Sequence, residues 1–223
     1  MRAIILAAGN GYQLDGYNKS LICDPLTGRE ILDLQLEALE GCRVTVVVGY
    51  RAINVMSRYR GVEYVYNPSW SVTNNSYSLA LALSDEPSLV LSGDMIFGRE
   101  LIDAVAAGPP NCVVTDATEN RTPNSLNCRM EGERILELYQ GSLRDLGDPE
   151  AVGFFKVSDP EILRAWRHNC LRHQNLFAGQ NLPFEPGAEL RSLPLGGMRL
   201  DEVNTPFDYI RLLERHRRAQ GAE

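Results

Sequence analysis

The chain begins with a continuous apolar run, residues 3–8, which ends in the turn Gly9-Asn10-Gly11. An apolar run without alternation is typical of a parallel strand that is covered on both faces. Further short apolar runs alternate with helical patterns as far as about residue 116. This alternation predicts an α/β fold with a doubly wound, mostly parallel sheet, because right-handed crossovers place helices on both faces of the sheet.

The predicted elements are evenly spaced in the first half of the chain and less regular afterwards. In the first half, strands are predicted at 3–8, 44–48, 62–66, 88–91 and 112–115, and helices near 32–39, 51–59, 76–84 and 100–106. In the second half, a β-hairpin is predicted at 126–130 and 135–139, strands at 152–157 and 190–195, and helices at 160–172 and 206–218. Because no repeat, low-complexity tract or linker interrupts the chain, we expect one domain, residues 1–223, with a small C-terminal α+β cover.

Composition narrows the class of protein. The chain has 22 Lys and Arg against 29 Asp and Glu, a formal net charge of −7, which argues against non-specific binding of nucleic acid. Five scattered cysteines without a C-x-x-C pair favour reduced thiols in the cytoplasm over disulfides or a zinc site. The N-terminal run lacks the signal-peptide pattern and no run reaches the length of a membrane span, so we expect a soluble cytoplasmic protein.

The glycine-rich turn after the first strand is a candidate phosphate-binding loop. Glycines let the backbone approach a ligand closely, and successive N–H groups can hold phosphate oxygens. The dinucleotide fingerprint G-x-G-x-x-G fails because Leu14 follows Gln13, and the Lys-Ser/Thr ending of a P-loop is also missing from the sequence. Taken alone, the turn fits a purely structural role equally well.

Three polar residues in two distant segments are candidate ligands of Mg²⁺. Asp94 ends the apolar segment Leu-Ser-Gly-Asp, and Glu202 and Asn204 are separated by one residue. In an extended stretch, Glu202 and Asn204 would face the same side. Their oxygens suit Mg²⁺, which usually keeps several waters. The alternative interpretation is helix capping, by Asp94 before the helix that follows it and by Asn204 or Thr205 before the last helix.

Several motifs occur in a fixed order along nearly the whole chain. The first is Ile-Ile-Leu-Ala-Ala-Gly-x-Gly at 4–11, followed by Lys19. The others are Val48-Gly49-Tyr50, Tyr66-Asn67-Pro68 with 73–79, Ser92-Gly93-Asp94, 153–158 and 202–209. Together they resemble the nucleotidyltransferase superfamily, and within it the branch of the CTP:phosphocholine and phosphonate cytidylyltransferases.

This resemblance implies a Rossmann-like nucleotidyltransferase fold, with a nucleotide-binding core at 1–116 and an acceptor-binding part with a closing helix at 117–223. It also implies Mg²⁺-dependent transfer of CMP from CTP to a small phosphorylated or phosphonate acceptor, similar to phosphocholine, with release of pyrophosphate. The residues that it implies are Lys19 and Asp94 for catalysis; Asp94, Glu202 and Asn204 for the metal; Tyr77, Phe154 and Phe177 for the acceptor; and Leu6, Ala7, Ala8, Gly9, Asn10, Gly11, Gln13, Lys19, Asn74, Asn75, Ser92 and Gly93 for the nucleotide.

Two departures from the family pattern leave other interpretations open. Gln13 stands where the family usually has arginine, and Asn18 replaces the proline before Lys19. An uncharged amide makes a weaker phosphate contact than a guanidinium. The chain is therefore a slower enzyme, recruits another arginine such as Arg121, or binds nucleotides without turnover. An enzyme that uses another NTP or a sugar-phosphate acceptor also remains open, as does a homodimer.

Two further segments carry weaker predictions. Choline recognition needs an aromatic cage, and residues 175–179 offer only Phe177 where the phosphocholine enzymes carry a Tyr-Trp pair. A different small phosphate or phosphonate that bears an amine or amide fits as well. The cationic run 215–218 is expected to be a solvated helix end, where positive charge suits the helix dipole.

Overall fold

The computed structural model describes residues 1–117, 125–184 and 187–221. The strands in these ranges are β1 (Arg2–Ala7), β2 (Arg43–Val48), β3 (Glu63–Tyr66), β4 (Ser88–Ser92), β5 (Met95–Phe97), β6 (Asn111–Asp116), β7 (Leu126–Glu131), β8 (Arg134–Gln140), β9 (Glu150–Val157), β10 (Arg191–Pro194) and β11 (Leu200–Glu202). The α-helices are α1 (Ile31–Ala38), α2 (Ala52–Met56), α3 (Asn75–Ala82), α4 (Arg99–Ala107), α5 (Pro160–Arg172) and α6 (Pro206–Gly221).

Nine of these strands form one mixed sheet in the order β3-β2-β1-β4-β9-β6-β10-β8-β7. The first four are parallel to one another, as predicted from the apolar runs. β9 runs antiparallel between β4 and β6, and β8 runs antiparallel to both β10 and β7. The α/β prediction is confirmed, but among the described strands four of the eight neighbouring pairs are antiparallel, so the sheet is not mostly parallel. The antiparallel pairs arise because most of the strands after residue 116 extend the same sheet.

Helices cover both faces of the sheet, which explains why β1 is apolar throughout. On one face Ile4 packs in the same cluster as Trp166 of α5. On the other face Ile5 packs with Leu32 of α1 and Leu101 of α4. Ile4 and Ile5 are both fully buried because successive side chains of a strand point to opposite faces.

A separate two-stranded sheet, β5 with β11, was not predicted from the sequence. Met95 pairs with Glu202 and Phe97 with Leu200, in antiparallel register. The Val203 amide also donates to the Asp94 carbonyl at 3.0 Å. This pairing brings the segment before α6 next to Asp94, although the two are far apart in the sequence.

The start of α6 is held by its own first turn. Asp208 Oδ2 accepts hydrogen bonds from the amides of Asn204 and Thr205, at 3.1 and 2.7 Å. Such bonds satisfy donors that a helix N-terminus leaves without intrahelical partners. Asn204 is therefore fixed by its backbone while its side chain remains available for other contacts.

Among the described residues, no helix combines the length and apolar character needed to cross a membrane. Among the cysteines, Cys112, Cys128 and Cys170 are buried, whereas Cys23 is exposed.

Candidate functional site

A cleft of about 1180 Å³ opens at the carboxyl ends of β1 and β4. Ligands of open α/β sheets bind in this position, outside the carboxyl ends of the strands. Most of the residues predicted from the sequence line it: Leu6, Ala7, Ala8, Gly9, Asn10, Gly11, Gln13, Lys19, Asn74, Asn75, Phe177, Ser92, Gly93, Asp94, Glu202 and Asn204. Tyr77 and Phe154 are not among the described lining residues.

The turn after β1 depends on glycine at residue 11. Gly11 has φ +54°, and a Cβ built on it would lie 2.1 Å from the carbonyl oxygen of Tyr17. No side chain fits there without moving the backbone, so the sequence pattern reflects a real steric limit. Gly9, by contrast, has nothing within 4 Å of the position of its Cβ. The turn thus combines a tight backbone fold at Gly11 with an open approach at Gly9.

Lys19 joins the two segments that were predicted to bind a metal. Its ammonium donates to Asp94 Oδ2 at 2.9 Å and to Asn204 Oδ1 at 2.6 Å. The Asn204 amide nitrogen in turn donates to Glu202 Oε2 at 2.9 Å. Three segments that are distant in sequence therefore meet in one hydrogen-bonded group at the edge of the sheet.

The charges in this group are not fully balanced. Glu202 is exposed to the cleft, yet the concave surroundings raise its pKa to about 8, first through desolvation and then through the negative charges of Asp94 and Glu150. Asp94 Oδ1 is buried without a hydrogen-bond partner among the described residues. A buried acceptor of this kind costs free energy unless a donor or a cation reaches it. The site has the electrostatic character that a divalent cation would relieve.

The oxygen atoms of Asp94, Glu202 and Asn204 suit Mg²⁺, and they include only two carboxylates. In the described part of the chain, no group of three or more His, Cys, Asp or Glu side chains is arranged to hold a metal ion. Asp94 and Glu202 offer two carboxylates and Asn204 an amide oxygen. Mg²⁺ commonly binds through one or two carboxylates and takes its other oxygens from substrate phosphates and water. The residues present fit that mode of binding.

Asn74 and Asn75 begin α3 at the wall of the cleft, and both also have structural partners. Asn74 Oδ1 accepts from the Asn75 amide at 2.7 Å, which caps the helix. Asn75 Oδ1 accepts from the Ala178 amide at 2.7 Å. The Asn75 oxygen therefore holds the loop around Phe177, and this loop forms the neighbouring wall.

The prediction that Phe154 lies at the acceptor site needs a correction. Phe154 is fully buried and packs edge-on against Phe97, with ring centroids 5.3 Å apart, on the face away from the cleft. Phe155, the next residue of β9, lines the cleft instead, because alternate residues of a strand face opposite sides. Tyr77 lies on α3 and is not a described lining residue, whereas Phe177 is one.

Two cationic residues of α6 at the cleft were not predicted. Arg211 and Arg215 line it, one helical turn apart. Arg215 is exposed, as expected of a solvated helix end, and it also pairs with Asp201 at 2.5 Å. The spacing of Phe207, Arg211 and Arg215 at i, i+4 and i+8 was the available signal. Arg121 lies outside the described residues.

Comparison with known proteins gives a consistent family. The family model of the MobA-like NTP transferase domain matches residues 3–178. The CMP-5'-(3-aminopropyl)phosphonate synthase of Streptomyces rubellomurinus (strain ATCC 31215) is 32% identical over 178 residues, which make up 74% of this chain. The matched region corresponds to only 28% of the length of that relative.

Solved structures show the same fold. CTP:phosphocholine cytidylyltransferase from Streptococcus pneumoniae matches with a TM-score of 0.75 and 19% identity, over 96% of this chain and 98% of that chain. The inositol-1-phosphate CTP transferase from T. maritima matches with a TM-score of 0.74 and 17% identity, over 96% of this chain and 95% of that chain.

Proposed function

Because this chain belongs to the MobA-like NTP transferase family and is a nucleotidyltransferase, we propose that it transfers CMP from CTP to a small phosphonate or phosphate acceptor. An acceptor oxygen attacks the α-phosphorus, a new P–O–P linkage forms, and the bond to the β-phosphate breaks. Pyrophosphate leaves with the electron pair of that bond. The acceptor oxygen is already anionic, so the reaction needs neither a covalent enzyme intermediate nor a general base.

The observation that carries the proposal is the convergence of Lys19, Asp94 and Asn204 beside the glycine turn. Transfer between two anions depends chiefly on aligning them and on offsetting their charge. A lysine ammonium at the edge of the sheet, next to a turn that exposes backbone at Gly9, supplies both functions. This arrangement supports phosphate chemistry better than hydride transfer or hydrolysis through a nucleophilic side chain.

Asp94, Glu202 and Asn204 would hold the Mg²⁺, and the ion would offset negative charge on the phosphates when bound. Lys19 already donates to two of these residues. The Lys19 ammonium has three N–H donors, and the third can donate to a phosphate oxygen while the other two keep their protein partners. We assign Lys19 the role of stabilising the charge that develops on the transferred and leaving groups.

The other predicted residues divide between two substrates. We propose that the turn at 8–11 and the residues Leu6, Ala7, Gln13, Asn74, Asn75, Ser92 and Gly93 surround the nucleotide. Phe177, with Phe155 in place of Phe154, borders the acceptor. The rings are apolar surfaces that would contact the alkyl part of the acceptor and exclude water from it.

We propose an aminoalkyl phosphonate as the acceptor class. The identity of 32% with a protein named as a CMP-(3-aminopropyl)phosphonate synthase supports this class. The carboxylates Asp116 and Glu150, which line the same cleft, agree with an acceptor that carries an ammonium group. The five scattered cysteines, without a C-x-x-C pair, favour a reducing compartment such as the cytoplasm as the place of the reaction.

A pyrophosphate-release assay tests the proposal, with each of the four common NTPs across a panel of aminoalkyl phosphonates, phosphocholine and sugar phosphates. We expect release with CTP and a phosphonate, dependent on Mg²⁺, and loss of turnover in Asp94→Asn. Asp103→Asn is the control, since Asp103 is an exposed partner of Arg99 away from the cleft. Release only with another NTP or with a sugar phosphate would overturn the choice of substrates.

Gln13 decides between a slow enzyme and a protein that only binds nucleotides. Gln13 is exposed at the cleft, where a guanidinium could reach phosphate oxygens. We expect Gln13→Arg to raise kcat/KM by about tenfold, the value of one charge-assisted hydrogen bond. CTP binding without pyrophosphate release, in both the wild type and this variant, would indicate a binding protein.

A further inference from the structure

The cleft is short of positive charge for a site that must hold phosphates. Its described lining contains six carboxylates, Asp94, Asp116, Glu150, Asp201, Glu202 and Asp208. The same lining contains three cations, Lys19, Arg211 and Arg215. An anionic ligand therefore depends on the few cations whose donors can turn toward it.

All three cations are paired with protein carboxylates of low exposure, and Asp208, the partner of Arg211, is 17% exposed. Lys19 donates to Asp94, whose side chain is 16% exposed. Arg215 lies 2.5 Å from Asp201, whose side chain is 4% exposed and also accepts from Arg199. Withdrawing Lys19 would leave Asp94 poorly compensated, which is costly where water is scarce, whereas Asp201 would keep Arg199.

Unlike Lys19, whose partner Asp94 has an oxygen without a hydrogen bond among the described residues, Arg211 shares its carboxylate partner with other donors. Its side chain is 55% exposed and meets Asp208 Oδ1 through one nitrogen, Nη2, at 2.6 Å. Asp208 keeps its helix-capping bonds through its other oxygen, Oδ2. A guanidinium has five N–H donors in a planar fork, so Arg211 can keep this ion pair and present other donors to the cleft.

A series of hydrogen bonds connects Arg211 to Lys19. Lys19 donates to Asn204 Oδ1, and the backbone N–H of Asn204 donates to Asp208 Oδ2. The other carboxylate oxygen, Asp208 Oδ1, accepts from Arg211. Asn204 and Asp208 thus link Arg211 to the Lys19 ammonium, and both cations line the same cleft. Two cations in that relation can hold neighbouring phosphoryl groups.

We propose that Arg211 is a phosphoryl-binding residue of this site and supplies the second protein cation that a glutamine at residue 13 cannot supply. The proposal rests on the proposed function for the nature of its ligands. Its target is a phosphoryl group with at least two free oxygens, because the guanidinium fork matches such a group in bidentate fashion. The β- and γ-phosphates of CTP and the phosphonate of the acceptor share this chemistry.

Calorimetric titration of Arg211→Gln tests the proposal without requiring turnover. The titrants are CTP with Mg²⁺, CMP with Mg²⁺, inorganic pyrophosphate and (3-aminopropyl)phosphonate. We expect Arg211→Gln to weaken at least one phosphoryl ligand by about 10- to 100-fold, the effect of losing a charge-assisted pair. Weaker binding of CTP and pyrophosphate but not of CMP would mean that Arg211 contacts the β- and γ-phosphates. Weaker binding of the phosphonate would mean that Arg211 contacts the acceptor.

Arg217→Gln is the matched control, because Arg217 is exposed on the same helix and is not a described lining residue. It removes the same charge and should leave every affinity within twofold. Arg211→Lys should recover part of the lost affinity, and thermal unfolding should show Arg211→Gln as stable as the control, since an exposed i,i+3 pair contributes little.

Equal affinities of the wild type and Arg211→Gln for all four ligands would overturn the proposal, and so would a wild type that binds none of them. A wild type that binds these ligands but releases no pyrophosphate would refute the proposed function alone. In that case the titrations would still decide the role of Arg211.

Discussion

Replacing Lys19 with methionine should tighten the binding of a free divalent ion while it abolishes most of the turnover. The ammonium lies 2.9 Å from Asp94 Oδ2 and 2.6 Å from Asn204 Oδ1, in two residues whose oxygens we assign to the metal. In the absence of nucleotide, Lys19 therefore competes with the ion for ligands and also repels it. In the presence of substrates, the same charge should stabilise the phosphates.

The two effects have different sizes. Unit charges about 4 Å apart interact by about 4 kcal/mol at an effective dielectric constant of about 20. The Lys19 side chain is 24% exposed, and solvent and salt reduce the repulsion to on the order of 1.4 kcal/mol, about tenfold in Kd. For catalysis, loss of one preorganised donor to developing charge lowers kcat by about 10²- to 10³-fold.

Titration of the nucleotide-free protein with Mg²⁺, or with Mn²⁺ as a paramagnetic reporter, measures the first effect. The pyrophosphate assay measures the second. Arg217→Gln serves as the control for net charge, and adding Asp94→Asn to Lys19→Met should cancel the gain in metal affinity. An unchanged or weaker Kd for the ion in Lys19→Met would refute the assignment of these oxygens to the metal.

Two further predictions concern the turn and the thiols. Gly11→Ala should lower the free energy of unfolding by about 3 kcal/mol or more and inactivate the enzyme. The control Gly132→Ala, at φ +59° with open space around it, should lower it by only about 1 kcal/mol in chemical denaturation. Equal losses in the two variants would show that steric contact at Gly11 does not matter. In the folded protein a thiol reagent at pH 8 should modify exposed Cys23 first, because burial raises the pKa of Cys112 to about 11 and that of Cys170 to about 12. Mass spectrometry identifies the labelled cysteine, and rapid labelling of either buried cysteine before unfolding would contradict this prediction.

The parts of the fold that could be predicted are those with strong local signals. The helix at 160–172 was predicted with the bounds that the structure gives, because Asp159 caps it and Pro160 stands at its first position. The apolar runs of the parallel strands were equally clear. The pairing of β5 with β11 was not predictable, since each has three residues and their partners lie about a hundred residues apart.

In the candidate site too, some residues could be placed from local sequence signals and others only from the folded structure. Lys19, Asp94 and Glu202 follow strands or turns, so their arrival at one edge of the sheet could be expected. Phe154 was assigned to the wrong face because Phe154 and Phe155 are adjacent in a strand buried on both sides. An apolar strand of that kind has no polar side to reveal its register.

The excess of carboxylates in the cleft also bears on specificity. A protein with a formal net charge of −7 cannot attract phosphates by its overall field. With Lys19 held by Asp94 and Arg215 by Asp201, each phosphoryl group must share its cation with a protein carboxylate. That sharing penalises a singly anchored anion and favours a pair of substrates that engages Lys19 and Arg211 together, which would couple nucleotide binding to the presence of the acceptor.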